Sequence, residues 1–331
     1  MLLRWCPVSS PSAGAVRPDP SADLDGYLAR LGLARPPRPD AAWLAAACRA
    51  HMQRVPYENL EIQLGRATGV DPAESIARIV RGRGGYCFHL NGAFGTLLAG
   101  LGYRVTRHPG QVFAPGAEPA DATLEINHQV LVVDCDGVRW FVDCGLGSAP
   151  YEPVALADGE PAVAVQGPFA YRLEPWTQRP GGWRFVHDPK AASFATMRFA
   201  PEPVDAAAFA EAHRHLSTSP DSGFVRSAVA GRLVAAGIEV LRGRVYSRIG
   251  ADGGERRVIE TRAEWYGLLA DVFGLSLPDV DEADRARLWA RVSAEHALWL
   301  EAEAARRAER EPGAAASTSE PGLAPIVGAV R

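Results

Sequence analysis

The spacing of apolar residues changes period near residue 103, and that change limits the fold more than any other feature of the chain. Before it, apolar positions recur at helical intervals. Leu24, Tyr27, Leu28 and Leu31 fall on one face and Gly32 stops the run, which predicts a short helix over 22–32. A second helix is expected after Asp40. Asp71 is placed to cap a third, with Pro72 in the first helical position and Glu74 three residues on, able to reach back to the cap amide. Cys87, Leu90, Phe94, Leu97, Leu98 and Leu101 share one face of a fourth, which ends before Gly102.

From Tyr103 the period is two. The runs YRVTR, TLEINHQVLVVDC, VRWFVDC and WRFVH are separated by Gly, Pro and Asp, the pattern of an antiparallel sheet. Asp136-Gly137 between two alternating runs marks a hairpin. Helix returns over 205–216, strands over 224–249, and helix again over 262–273 and from Leu288 to about Glu311. The expected division is an N-terminal extension (1–21), a helical domain (22–102), a sheet domain (103–204), a mixed domain with a C-terminal helix (205–311) and a disordered tail (312–331), too small and polar to pack.

Composition removes several function classes. A chain that is 47% apolar and 22% charged is not disordered as a whole. Its 35 basic against 39 acidic residues, with no basic run, argue against a nucleic-acid or membrane surface. No apolar stretch approaches the ~20 residues of a membrane span, and no secretory leader is evident. Five widely spaced cysteines read as free thiols in a reducing compartment, so a cytoplasmic protein is expected.

One of those cysteines is placed for chemistry. Cys87 follows Gly84-Gly85-Tyr86 at the start of the fourth helix, where unpaired amides and the helix dipole favour negative charge on sulfur. The plain alternative is a small buried apolar residue. If Asp136 and Gly137 are the two central turn residues, opposed positions in the hairpin sum to 273, so Asp143 faces Val130. His128, two residues from Val130, then lies on the same face as Asp143 and diagonal to it. A three-residue loop would put the two on opposite faces. The order Cys, His, Asp is a nucleophilic arrangement in which the carboxylate orients the imidazole.

With these residues in view, RVPYENLEIQLG (54–65), RGRGGYCFHLNGAFGTLLAGLGYRV (81–105), NHQVLVV (127–133), FVDCGLG (141–147) and HLSTSPDSGF (215–224) resemble the arylamine N-acetyltransferases. The matches run in order over most of the chain. The resemblance implies an α+β fold in three parts: a helical bundle, an antiparallel β-barrel-like domain and an α/β lid, with a cysteine-protease-like core. It implies a triad of Cys87 as nucleophile, His128 as base and Asp143 as acid. The acyl donor would be acetyl-CoA, a substrate and not a tightly bound cofactor, and the acceptor an arylamine, arylhydrazine or related amine. For the CoA phosphates, Gly145, Gly147 and Ser148 could expose backbone amides after the acid strand, and Ser217, Thr218 and Ser219 match the segment that lines the cleft.

The chain departs from the family pattern at His89, usually glutamate, and at Leu146 and Tyr57, commonly phenylalanine. Rival readings are an amide synthase of the same family fed by a carrier protein, a transglutaminase-like cysteine hydrolase, and a binder without chemistry. A zinc site is not expected, since the cysteines offer no CxxC pair. His213 and His215 are expected at the surface or in a cap, His51 and His296 in the core, and the eight tryptophans in the core.

Overall fold

The structure, a computed structural model, describes residues 14–310 except 158, 192–193 and 252. The expected tail, Trp5 and Cys6 lie outside those residues.

The chain opens with α1 (Leu24–Leu31) and α2 (Ala41–Arg54), and Asp40 starts α2 by accepting the Trp43 amide at 2.8 Å. A two-residue strand, β1 (Tyr57–Glu58), and a one-turn helix, α3 (Leu60–Gln63), come next. Neither is long enough to display a period, so the sequence pattern did not show them. In α4 (Pro72–Val80) Asp71 caps as expected, accepting from Ala73 and Glu74. Glu74 does not reach back to the Asp71 amide; it accepts from Gly69 at 3.5 Å and pairs with Arg78 one turn on. The helix α5 (Cys87–Gly100) runs through the middle of the core, buried from residue 87 to residue 99.

Strands β2 (Arg104–Phe113), β3 (His128–Cys135), β4 (Val138–Val142), β5 (Val154–Ala155), β6 (Ala162–Gln166), β7 (Phe169–Pro175), β8 (Trp183–Val186) and β9 (Thr196–Phe199) form one antiparallel sheet. Its order is β5-β4-β3-β2-β9-β8-β7-β6. The sheet curls until its edges meet: the Gln166 side chain, at the end of β6, bonds the backbone of Tyr151 and Glu152 just before β5. The inside holds Phe141, Phe185 and Phe199, with the Phe141 and Phe199 rings stacked at 5.5 Å. Residues 14–16 do not hang free; Val16 and Gly14 hydrogen-bond Val105 and Arg107, the stretch of β2 that β9 leaves open.

A 3-10 turn (Ala206–Phe209) leads into α6 (Ala210–Thr218) and α7 (Gly223–Arg226). Then β10 (Val229–Val234), β11 (Gly237–Arg242), β12 (Val245–Gly250) and β13 (Gly253–Val258) make antiparallel hairpins, followed by α8 (Arg262–Asp271) and α9 (Glu282–Arg310). The first strand of this second sheet is β1, supplied from far upstream: Tyr57 pairs with Gly231 and Glu58 with Ala230. Asn59 strengthens the join, donating to the carbonyls of Phe224 and Ser227 and accepting from Val229. A separate apolar cluster of Trp265, Leu269, Phe273, Leu288 and Val292 seats α8 and α9.

The fold class is therefore the α+β arrangement expected, with a helical part, a nearly closed antiparallel barrel and a sheet-and-helix C-terminal part. Of the tryptophans, Trp176, Trp183 and Trp265 are buried, whereas Trp43, Trp140, Trp289 and Trp299 are only half-buried and use their rings to roof the surface. Among the described residues no helix is long and apolar enough to cross a membrane.

Candidate active site

Cys87 is held by a turn that is itself pinned from below. Arg83, buried, pairs with Glu58, Glu61 and Asp279, and Glu58 in turn accepts the amides of Leu60 at 2.6 Å and Gly84 at 3.1 Å. Any side chain at Gly84 would run into the Pro56 carbonyl, so the close pass of the two backbones requires glycine there. The turn delivers Cys87 to the first position of α5, with its own N–H among those that have no partner inside the helix.

His89 explains its presence here by capping. Its Nδ1 accepts the Tyr86 backbone N–H at 3.4 Å, the task a glutamate performs in a capping box. Burial, with Arg78 and His213 nearby, holds the ring well below the usual histidine range, so Nδ1 stays free to accept. His213 is not a surface or cap residue. It is buried, accepts the Tyr86 hydroxyl on Nδ1 at 2.6 Å and donates from Nε2 to the Thr68 carbonyl at 2.7 Å. The i,i+2 spacing of His213 and His215 described α6 alone, whereas the packing of α6 onto the start of α5 decides the environment.

The hairpin forms in the register that the turn predicts. Leu131 pairs with Val142 and Cys135 with Val138, and both turn residues take positive φ, +51° at Asp136 and +76° at Gly137. His128 Nε2 and Asp143 Oδ2 lie 2.6 Å apart. The other carboxylate oxygen accepts the Gly145 amide and Asn91 Nδ2, each at 2.8 Å. Cys87, His128 and Asp143 are 1%, 0% and 2% exposed. Burial alone would push the His128 ring down, but the charge and hydrogen bond of Asp143, together with the adjoining Cys87 thiol, raise it to about 10. The thiol lies 3.8 Å from the Asn127 carbonyl.

Asn91 was not singled out in the sequence, although it belongs to this constellation. Besides holding Asp143 it donates to the Gln129 carbonyl at 2.6 Å and accepts the Cys144 amide at 2.8 Å. The available signal was its position: four residues after Cys87, a polar side chain on a largely apolar helix.

The turn expected to present amides to a phosphate faces inward. The Gly145 amide is spent on Asp143, and a Cβ at Gly145 would come within 2.6 Å of the Cys87 Cα. Gly147 packs on the Tyr57 ring. Ser148 is fully buried and bonds His187 Nε2 at 3.0 Å. Ser217 and Thr218 bond back to the Arg214 carbonyl at the end of α6, and the Ser219 hydroxyl accepts from Asp221. Two cavities flank this region. One, between the second sheet and α9, is lined by four arginines, Arg226, Arg242, Arg256 and Arg306, and two carboxylates, Glu295 and Glu303, with Trp299 at its side. The other runs from Asn127 past Phe113 to Leu216 and carries the carboxylates of Asp121, Glu125 and Glu211.

A family model described as N-acetyltransferase matches residues 40–282. The chain belongs to the arylamine N-acetyltransferase family. Similar members include the arylamine N-acetyltransferase of Mycolicibacterium smegmatis, 31% identical over 267 residues that make up 79% of this chain and 95% of the relative. The proansamycin X synthase of Amycolatopsis mediterranei is 35% identical over 156 residues, 46% of this chain and 58% of that one. Among solved structures, the arylamine N-acetyltransferase of Mycobacterium marinum in complex with CoA superposes with a TM-score of 0.72 at 30% identity, covering 82% of this chain and 98% of the other. Family membership makes the chain an acyltransferase. Its departures from the arylamine N-acetyltransferase pattern fall in the core: Tyr57 and Leu146, like His89, are all buried within the site.

Proposed function

We propose that the chain transfers an acetyl group from acetyl-CoA to an aromatic amine or hydrazine through a thioester on Cys87. The observation that carries this reading is the buried His128–Asp143 pair at 2.6 Å with the ring raised to about 10 beside the Cys87 thiol. His128 already holds the proton given up by the Cys87 thiol, and Cys87 Sγ attacks the thioester carbonyl. The new S–C bond forms as the C–S bond to CoA breaks, and the departing sulfur takes the proton back from His128. An amine nitrogen then attacks the acyl-enzyme, its proton passes to His128, and the Cys87 sulfur leaves and is reprotonated. Ping-pong kinetics follow.

The arginine-lined cavity suits the CoA phosphates better than the inward-facing Gly145–Ser148 turn or the Ser217–Ser219 segment beside the carboxylate groove. That groove, adjoining the Asn127 carbonyl at Cys87, suits the acceptor amine. A nucleophilic thiol that must stay reduced fits the cytoplasm.

Intact-mass spectrometry after incubation with acetyl-CoA and no amine tests the reading. One acetyl group on Cys87, absent from Cys87→Ala and discharged by an arylamine, is the expected result. Similarity to the proansamycin X synthase favours a second reading, an amide synthase. No adduct from acetyl-CoA, with acylation by a carrier-protein thioester, would select it.

A further inference from the structure

Tyr57 carries a hydroxyl that the folded chain leaves without a hydrogen-bond partner. The residue is 2% exposed and its Oη is buried and unbonded. A phenylalanine would fill the same space without stranding a polar group, so the hydroxyl has its use in a state the resting protein does not show. Its surroundings identify that state. The ring packs on Gly147, of the turn whose Gly145 abuts the Cys87 Cα. Tyr57 also bridges to Gly85, two residues before the cysteine, and lies against Phe224, which contacts Tyr86. Cys87 is among the ionisable groups that act on the hydroxyl, with Arg242, Tyr86 and Asp143. Burial and Cys87 hold the phenol well above its ordinary range, so it remains a donor.

The one acceptor that the reaction brings to Cys87 is the acyl carbonyl oxygen. We infer that Tyr57 Oη donates a hydrogen bond to that oxygen when Cys87 Sγ attacks, so that Tyr57 and the Cys87 backbone N–H together hold the tetrahedral oxyanion. The inference rests on the acyl-enzyme reading above. As the S–C bond forms, the C=O π pair moves onto oxygen; as it returns, the bond to the leaving group breaks. Tyr57 keeps its proton throughout and supplies only the dipole.

Tyr57→Phe separates this role from a structural one. Its acylation rate is measured with acetyl-CoA and with p-nitrophenyl acetate, an ester that needs no CoA site. Alkylation of Cys87 by iodoacetamide, which passes through no oxyanion, is measured beside it, with the melting temperature. The expected result is acylation slowed by ~10- to 1000-fold with both donors, with alkylation and melting temperature unchanged or raised. Acylation within about twofold of wild type overturns the inference, taking twofold as the spread expected of a neutral change. So does an equal fall in alkylation, which would make Tyr57 a support of the thiol. If p-nitrophenyl acetate acylates the wild type and acetyl-CoA does not, the CoA donor fails and the ester still decides Tyr57. If neither acylates Cys87, both readings are overturned.

Discussion

Asn91 Nδ2 donates to Asp143 Oδ1 at 2.8 Å, so the helix that begins with Cys87 itself grips the carboxylate that orients His128. Cys87 and His128, the proposed nucleophile and base, are thereby tied to one element. Replacing Asn91 with Ala strands the Gln129 carbonyl and the Cys144 amide as well. The expected loss is about 1–3 kcal/mol of stability and roughly 10- to 100-fold in kcat with little change in KM. Steady-state kinetics and thermal unfolding check this; a KM effect alone would refute the positioning role.

The His128 ring is expected to remain protonated well past neutrality. Its folded value near 10 stands above the ordinary 6.5, so the stability it contributes is present in full below pH ~6.5 and is lost as pH rises through about 10. Following the ring proton resonances of His128 by NMR, with His128→Gln for assignment, should show no titration between pH 6 and 8. A midpoint near 6.5 would mean the ion pair with Asp143 does not hold.

Acid acts through other histidines. Burial lowers His51 to about 3 and His108 and His187 to about 4, each bonded as a neutral ring. In the unfolded chain these rings take up protons below pH ~6.5, so stability falls as pH drops from there toward 4, by about 1.4 kcal/mol per pH unit for each. The melting temperature is expected to fall steeply over that range. A flat profile from pH 6.5 to 4.5 would contradict the burial of these three groups.

The arginine-lined cavity gives a separable prediction. Arg226→Ala and Arg256→Ala should each raise the KM for acetyl-CoA several-fold, about 1 kcal/mol per lost charge-assisted contact. Turnover of p-nitrophenyl acetate should be unaffected, and the acetyl-CoA KM should rise with salt. Equal losses with both donors would place these arginines outside the donor site.

The parts legible in the sequence were those governed by local rules. Asp136-Gly137 fixes a two-residue turn, and that turn alone puts His128 and Asp143 on one face, as the 2.6 Å contact between them shows. The cap at Asp71 and the helix start after Asp40 were equally local. What escaped depended on tertiary approach. Asn91 and His213 have no distinguishing neighbours in sequence, since their partners stand 52 and 127 residues away. The Gly145–Ser148 turn has the composition of a phosphate loop, but its Gly145 amide is spent on Asp143 and its residues are buried. Composition cannot tell an inward turn from an outward one.

The two-residue strand at Tyr57–Glu58 makes the C-terminal sheet dependent on a segment about 170 residues upstream. Exchange of parts between relatives is constrained accordingly. A chimera cut between the barrel and the second sheet inherits an edge cut to fit another protein's strand. Because Tyr57 and Glu58 also bond the turn that leads into Cys87, recombination that respects the sheet drags that turn with it. Variation in this chain can therefore travel between relatives as a block that joins 57–63 to 223–231, but not as a freestanding C-terminal cassette.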